Sequence, residues 1–351
     1  MHSAAYLPPR ASLFDASRPL RIAVIGAGAM GRRHARVIAS RPANFALAAV
    51  MDLNPAVAIG VAEAHGARVA TSEIDALMDA DAVVVATPVG AHADTVRRAL
   101  ANGTHVLVEK PIAANAREAA MLVAIAESCD AARLFVGHSE RFNPVVRALA
   151  RLVDPSSVRA IELRRVGARV SKGSRTRDER GQRDEGALVN LGVHDLDLAA
   201  YLTRSPLGFG HAAGELGADG IEERAHVLAR TESGATVHVY VDQLPADAVR
   251  RRTIALSTPT HVWHGDLLVP SLVRTCRATS AREAIPLDTE EPLLAQTLAF
   301  AAAVRGGAVR GATPAEIATA RDGMRALRAA ERASRQVRAE RRENLPTRPR
   351  C

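Results

Sequence analysis

Short, unbroken apolar runs recur through the first 140 residues, at positions 21–25, 46–51, 82–86, 105–108 and 134–137, with a weaker one at 67–70. They are built from Val, Ile, Ala and Leu and lack the in–out alternation of a half-exposed strand. Such runs suit strands covered on both faces of a parallel sheet. Stretches of helical length and mixed polarity separate them, at 32–40, 92–101 and 116–128, and Asn115 with Glu118 three residues on marks an N-cap for the last. Regular strand–helix alternation predicts a doubly wound α/β domain over residues 20–139, preceded by a proline-bearing arm at 1–19.

After residue 140 the pattern changes. A helix at 144–152 leads to a strand at 158–165, an Arg-rich polar stretch at 167–185, and a helix at 188–202. Strand-like runs follow at 225–230, 236–242, 252–257 and 267–273, with Ser233-Gly234 as the turn between the first two. Clustered strands with helices outside them predict an α+β domain, with a large, open, mainly antiparallel sheet, over residues 140–340. Thr313-Pro314-Ala315-Glu316 carries the N-cap, Pro and Glu signals of a helix start, and Ile317, Ala320, Met324 and Leu327 follow as an apolar stripe. This last helix, about 314–338, is expected to pack back on the first domain, leaving a basic tail at 341–351.

Composition narrows the function classes. The net charge is +8, but the basic residues are dispersed, and of 46 lysines and arginines only Lys110 and Lys172 are lysines. Aromatic residues make up 3% of the chain, too few for a base-stacking surface, so no nucleic-acid partner is expected. The three isolated cysteines offer neither a disulfide framework nor metal-ligand spacing, and no metal site is expected. Residues 1–19 lack a signal-peptide pattern, and no apolar run approaches bilayer length. A cytoplasmic protein with no membrane contact is the expectation.

The first apolar run ends in Gly26-Ala-Gly28-Ala29-Met30-Gly31, a Gly-x-Gly-x-x-Gly turn between strand and helix. Gly26 suits the tight turn, Gly28 close approach of a pyrophosphate, and Gly31 close helix–strand packing. The amides of Ala29 and Met30 open the helix and face the phosphate charge. Asp52 ends the next strand, 21 positions after Gly31. There it would accept hydrogen bonds from the adenosine ribose and repel a 2′-phosphate, which predicts a Rossmann domain using NAD over NADP. The alternative makes Asp52 a turn residue of Asp-Leu-Asn-Pro.

Thr87-Pro88 through His92, followed by Glu109-Lys110-Pro111, resembles the signature of the GFO/IDH/MocA oxidoreductases, the relatives of glucose–fructose oxidoreductase and inositol dehydrogenase. Gly137-His-Ser-Glu-Arg141-Phe-Asn143-Pro144 and Gly192-Val-His194-Asp195-Leu-Asp197 resemble two further family elements. The resemblance implies that Thr87, Pro88, His92, Glu109 and Lys110 line the cofactor. It also implies that Lys110 lies beside the nicotinamide, that the Lys110–Pro111 peptide is cis, and that His194 is the catalytic acid/base. Independently, Asn190, His194, Asp197 and Tyr201 recur at helical spacing. That stripe either meets a bound polyol or simply faces water. Inositol-dehydrogenase-type members carry Asp where this chain has Asn190. The Asn190-Leu-Gly-Val-His194 run instead resembles the branch that oxidises the 3-hydroxyl of UDP-linked N-acetylated sugars. Asn190, Asp197 and Arg169 are then the candidate substrate residues, and the Arg-rich stretch either grips a diphosphate or is a solvated loop. Three functions stay open: a nucleotide-sugar dehydrogenase, a dehydrogenase of a free cyclitol or monosaccharide, and a non-catalytic dinucleotide sensor. A homodimer or homotetramer built through the open sheet is expected.

Overall fold

The apolar runs of the N-terminal half fold as strands. In the computed structural model, which describes residues 18–168, 186–244, 249–306 and 316–343, they appear as β1 (Leu20–Ile25), β2 (Phe45–Met51), β3 (Arg68–Val69), β4 (Ala82–Val85), β5 (His105–Glu109) and β6 (Leu134–Gly137). Helices α1 (Ala29–Ala39), α2 (Pro55–His65), α3 (Glu73–Met78), α4 (His92–Ala101) and α5 (Ala116–Glu127) alternate with them. Every residue of β4, β5 and β6 is buried, which explains the absence of alternation in their sequences. Asn115 accepts from the amides of Arg117 and Glu118 and starts α5 as its sequence position suggests. The six strands are parallel, in the order β6-β5-β4-β1-β2-β3. Strand order therefore reverses between β1 and β4, the kind of switch point at which doubly wound sheets bind ligands beyond the strands' carboxyl ends.

A second unit contains α6 (Pro144–Leu152), β7 (Ala160–Ala168), α7 (Val193–Thr203), β8 (Leu207–Leu216), β9 (Glu222–Thr231), β10 (Thr236–Leu244), β11 (Arg251–Ser257), β12 (His261–Asp266), β13 (Ser271–Cys276) and β14 (Arg282–Ala284). Its eight strands lie in the order β14-β13-β12-β11-β7-β10-β9-β8, antiparallel except for the β7–β10 pair. Alternate residues Ala225, Val227 and Ala229 of β9 and Val237, Val239 and Val241 of β10 enter one core with Leu149 of α6 and Leu196 of α7. The apolar stretch at 267–270 is a turn rather than the start of a strand, because the Asp266 carboxylate accepts from the amides of Leu268 and Val269 and reverses the chain there.

The chain then supplies α8 (Pro292–Arg305), β15 (Ala318–Thr319) and α9 (Ala320–Glu343). Two compact units result, Met1–Phe142 with Glu290–Met324, and Asn143–Thr289 with Arg325–Cys351. The sequence pattern suggests one uninterrupted second domain, whereas α8 and β15 belong to the first unit. The reason is apolar burial: Leu294, Leu298 and Phe300 of α8 share a core with Leu20, Ile22 and Phe45, and β15 pairs antiparallel with β6. The last helix begins at Ala320, not near Pro314, since Ala318–Thr319 is taken up by the sheet and Asp322 caps the amide of Thr319. Thr313–Ala315 lie outside the described residues. Nor does α9 pack wholly with the first unit. Ala326, Ala330, Ala333 and Val337 join the core of the second. The helix persists through Glu343, into the segment expected to be tail.

Candidate active site

Three glycines shape the turn between β1 and α1 in different ways. Gly26 has φ +89°, and a Cβ there would stand 2.6 Å from the Thr87 nitrogen at the end of β4. Only glycine satisfies both demands. A Cβ on Gly31 would lie 1.8 Å from the Gly26 carbonyl oxygen, so the helix can approach the strand only without one. Gly28 differs, because a Cβ there would meet nothing within 4 Å. Space is open beside that backbone, and α1 starts there with no side-chain cap and no acidic residue in its first turn. The amides of Ala29, Met30 and Gly31 are arranged for an external anion. Nearby, Thr87 Oγ1 is buried with no hydrogen-bond partner among the described residues. Open backbone, an uncapped helix start and an orphaned hydroxyl fit a bound dinucleotide.

Asp52 takes the turn role expected of it and also holds the glycine turn. Its Oδ2 accepts from the Ala27 amide at 2.7 Å, fastening the glycine turn, and its Oδ1 accepts from the Asn54 amide at 2.9 Å, forming the turn into α2. Each carboxylate oxygen keeps further acceptor capacity for a ribose hydroxyl.

At the end of β5 the chain turns a corner at Lys110. The Lys110–Pro111 peptide is cis. Glu109 turns inward, 8% exposed, where its Oε1 lies 2.8 Å from Nε2 of the fully buried His34 on α1. Burial alone would push the Glu109 carboxyl up, but the His34 hydrogen bond and the charges of His34 and Lys110 more than offset it, and the group is held below its usual range. Beyond Pro88, His92 on α4 braces the other side, with Nδ1 2.9 Å from the Pro111 carbonyl and Nε2 2.9 Å from that of Thr87. Burial lowers the His92 pKa even against these two carbonyls, which favour the charged ring. The family motifs imply that Glu109 and His92 line the cofactor; in the structure their polar atoms engage protein partners. Gly26, Thr87 and Lys110 all stand at carboxyl ends of neighbouring parallel strands.

In the second unit, Asn190 sits in a π-turn, Leu188–Gly192, that runs into α7. This wider turn breaks the regular spacing on which a single Asn190–His194–Asp197–Tyr201 stripe depends. His194 is partly exposed, whereas Asp197 is buried at 2%. Arg169, with the rest of the Arg-rich stretch from 169 to 185, lies outside the described residues. Next to His194, Asp195 receives a two-pronged hydrogen bond from Arg165 of β7, Nε to Oδ2 at 2.8 Å and Nη2 to Oδ1 at 2.9 Å, both residues 1% exposed. No motif or spacing in the sequence singles out Arg165 or His34, yet both leave a trace. Arg165 occupies the buried parity of β7 with Ile161 and Leu163, and His34 interrupts the buried face of α1 beside Gly31, Val37 and Ile38. Among the described residues, no group of three metal-binding side chains converges.

Residues 20–138 match the family described as an oxidoreductase family with an NAD-binding Rossmann fold, and residues 151–256 match the GFO/IDH/MocA C-terminal domain. The inositol 2-dehydrogenase of an Arthrobacter species is 30% identical over 233 residues, covering 64% of this chain and 67% of that protein. This chain belongs to the GFO/IDH/MocA oxidoreductase family. A second member, the inositol 2-dehydrogenase of Rhizobium meliloti, is 32% identical over 185 residues, 52% of this chain; the match spans about half of that relative, 54%. The solved UDP-N-acetylglucosamine 3-dehydrogenase of Acidithiobacillus ferrooxidans superposes with a TM-score of 0.79 at 25% identity, covering 92% of this chain and 98% of that one. The Rossmann unit and the antiparallel-sheet unit of this chain are therefore those of the family.

Proposed function

We propose that this GFO/IDH/MocA member is an NAD(H)-dependent oxidoreductase acting at a secondary hydroxyl or keto carbon of a sugar. One observation carries the reading: the open glycine turn, the orphaned Thr87 hydroxyl and the Lys110 corner stand together at the carboxyl edge of one parallel sheet. The Gly26–Gly31 turn and the α1 amides would hold the pyrophosphate, Asp52 the ribose, and Thr87 and Pro88 the nicotinamide half. The chemistry supplied by bound NAD is hydride acceptance from the carbinol carbon, or, reduced, hydride return. Lys110 orients and polarises the reacting oxygen, and His194 takes or returns the hydroxyl proton. Asn190, Asp197 and Arg169 contact the sugar.

For the substrate we propose a nucleotide sugar of the UDP-N-acetyl type. Likeness to a UDP-N-acetylglucosamine 3-dehydrogenase along 92% of the chain supports it, as does Asn190. A free cyclitol is the second reading, favoured by the 30–32% identity to inositol 2-dehydrogenases. A substrate panel followed by NADH absorbance decides between them, with UDP-N-acetyl sugars set against free polyols. No turnover of any member, with NAD still bound, would favour a dinucleotide sensor. The outer face of the eight-stranded sheet, carrying exposed Glu162, Arg164 and His226, is proposed to pair subunits as a dimer or tetramer.

A further inference from the structure

We infer that His34 is a positioning residue for Lys110, acting through Glu109, and that it couples the dinucleotide-facing helix to the lysine corner; this rests on the oxidoreductase reading above. His34 is 0% exposed on the face of α1 that also buries Gly31, Ala35, Val37 and Ile38. A ring with two nitrogens is costly there unless it has a partner. Its partner is itself buried: Nε2 lies 2.8 Å from Glu109 Oε1. An ionised carboxylate only accepts, so Nε2 is the nitrogen that donates to Glu109, while Nδ1 meets no hydrogen-bond partner among the described residues. The other oxygen, Oε2, accepts from the backbone amide of Lys110 at 3.3 Å. On the far side, a Cβ at Gly137 would stand 3.0 Å from Oε1, so the carboxylate fills the space against β6. Glu109 is thus fixed from α1, from β6 and from its own neighbour, with an anion held beside the Lys110 charge. Because α1 begins at the open glycine turn, one short helix joins the phosphate-facing amides to the residue that fixes the lysine.

The chain contains two lysines, so enzyme grown on [13Cε]lysine gives two side-chain resonances, and Lys172→Arg assigns them. Lys110 can then be watched directly in His34→Leu, His34→Gln and Glu109→Gln, with NADH affinity, kcat, KM and melting temperature measured alongside. Gln carries a side-chain N–H able to take the place of Nε2–H. His34→Leu and Glu109→Gln should each move the Lys110 resonance and lower kcat about 10- to 100-fold, the scale expected from a misplacement of about 1 Å. NADH affinity and KM should change little, and His34→Gln should recover most of the resonance position and of kcat. A folded His34→Leu enzyme with an unmoved Lys110 resonance and normal kcat would overturn the inference. So would a failure of His34→Gln to recover either readout at wild-type melting temperature. If His34→Leu does not fold, Glu109→Gln and His34→Gln carry the same two readouts. If wild-type enzyme turns over no substrate, the oxidoreductase reading fails separately, and the Lys110 resonance still decides whether His34 positions it.

Discussion

At Asp52 a structural contact meets the proposed recognition of the ribose. Its charge should make the protein prefer NAD(H), but Oδ2 also fastens the glycine turn through Ala27. Asp52→Asn keeps an acceptor for that amide while removing the charge. It should narrow the gap between NAD(H) and NADP(H) in calorimetry with less loss of NAD affinity than Asp52→Ala. A wild-type preference for NADP(H) would refute the assignment. At the chemical step, His194→Ala and Lys110→Ala should each lower turnover by about a hundred- to ten-thousand-fold, the usual cost of losing a positioned acid/base. NAD affinity should stay nearly intact in both, and near-normal turnover in His194→Ala would end its assigned role. His92 adds a pH dependence. Burial holds its pKa below the ordinary 6.5, so the folded protein binds this proton less readily than the unfolded chain. Stability present above 6.5 is therefore lost as pH falls through that value and toward the lower folded one. Melting curves between about pH 7.5 and 5 should show the loss, and His92→Gln should flatten it.

Among the elements, β7 and α7 are joined by the Arg165–Asp195 pair, whose side chains are 2% exposed each. Two charges this deep stabilise little in total, since desolvation opposes their attraction, but removing one takes a two-pronged partner from the other. Asp195→Ala should cost about 3–5 kcal/mol in urea unfolding, whereas replacing both by apolar residues of similar volume should be close to neutral. Equal losses in the single and double variants would show that the pair is itself net stabilising, since the double variant keeps the packed volume. Helices α8 and α9 show where sequence patterns fall short. An all-round apolar helix such as α8 has no stripe to announce which sheet it covers. In α9 the sequence signal at Thr313–Glu316 places the helix start too early, because Ala318–Thr319 pair with β6 and the helix begins at Ala320.

For the whole molecule, the substrate hypotheses diverge in their response to salt. If cationic side chains grip a diphosphate, turnover of a UDP-sugar should fall as ionic strength rises and should exceed that of the matching free sugar. Equal rates on both would remove the nucleotide-sugar reading and promote the cyclitol one. Subunit pairing through the outer sheet face predicts that Arg164→Glu with His226→Glu lowers the mass seen by light scattering, while NAD binding in the Rossmann unit persists. An unchanged mass would place the interface elsewhere.

The parallel sheet, the glycine turn and the place of Asp52 can all be read from the chain alone. Each is a local requirement: two-sided burial selects apolar runs, a left-handed turn selects glycine, and a strand end presents its next side chain. Lys110 and His194 are proposed as catalytic from the motifs that contain them, not from folding. Which polar side chains point inward, and at what, is settled only by folding. His34 reaches Glu109 across 75 residues and Arg165 reaches Asp195 across 30, and no local spacing records either pairing. The same holds for α8, which returns to the first sheet because its apolar surface finds Ile22 and Phe45 there. Burial is a property of the packed chain, so a partner is fixed only once distant segments have met.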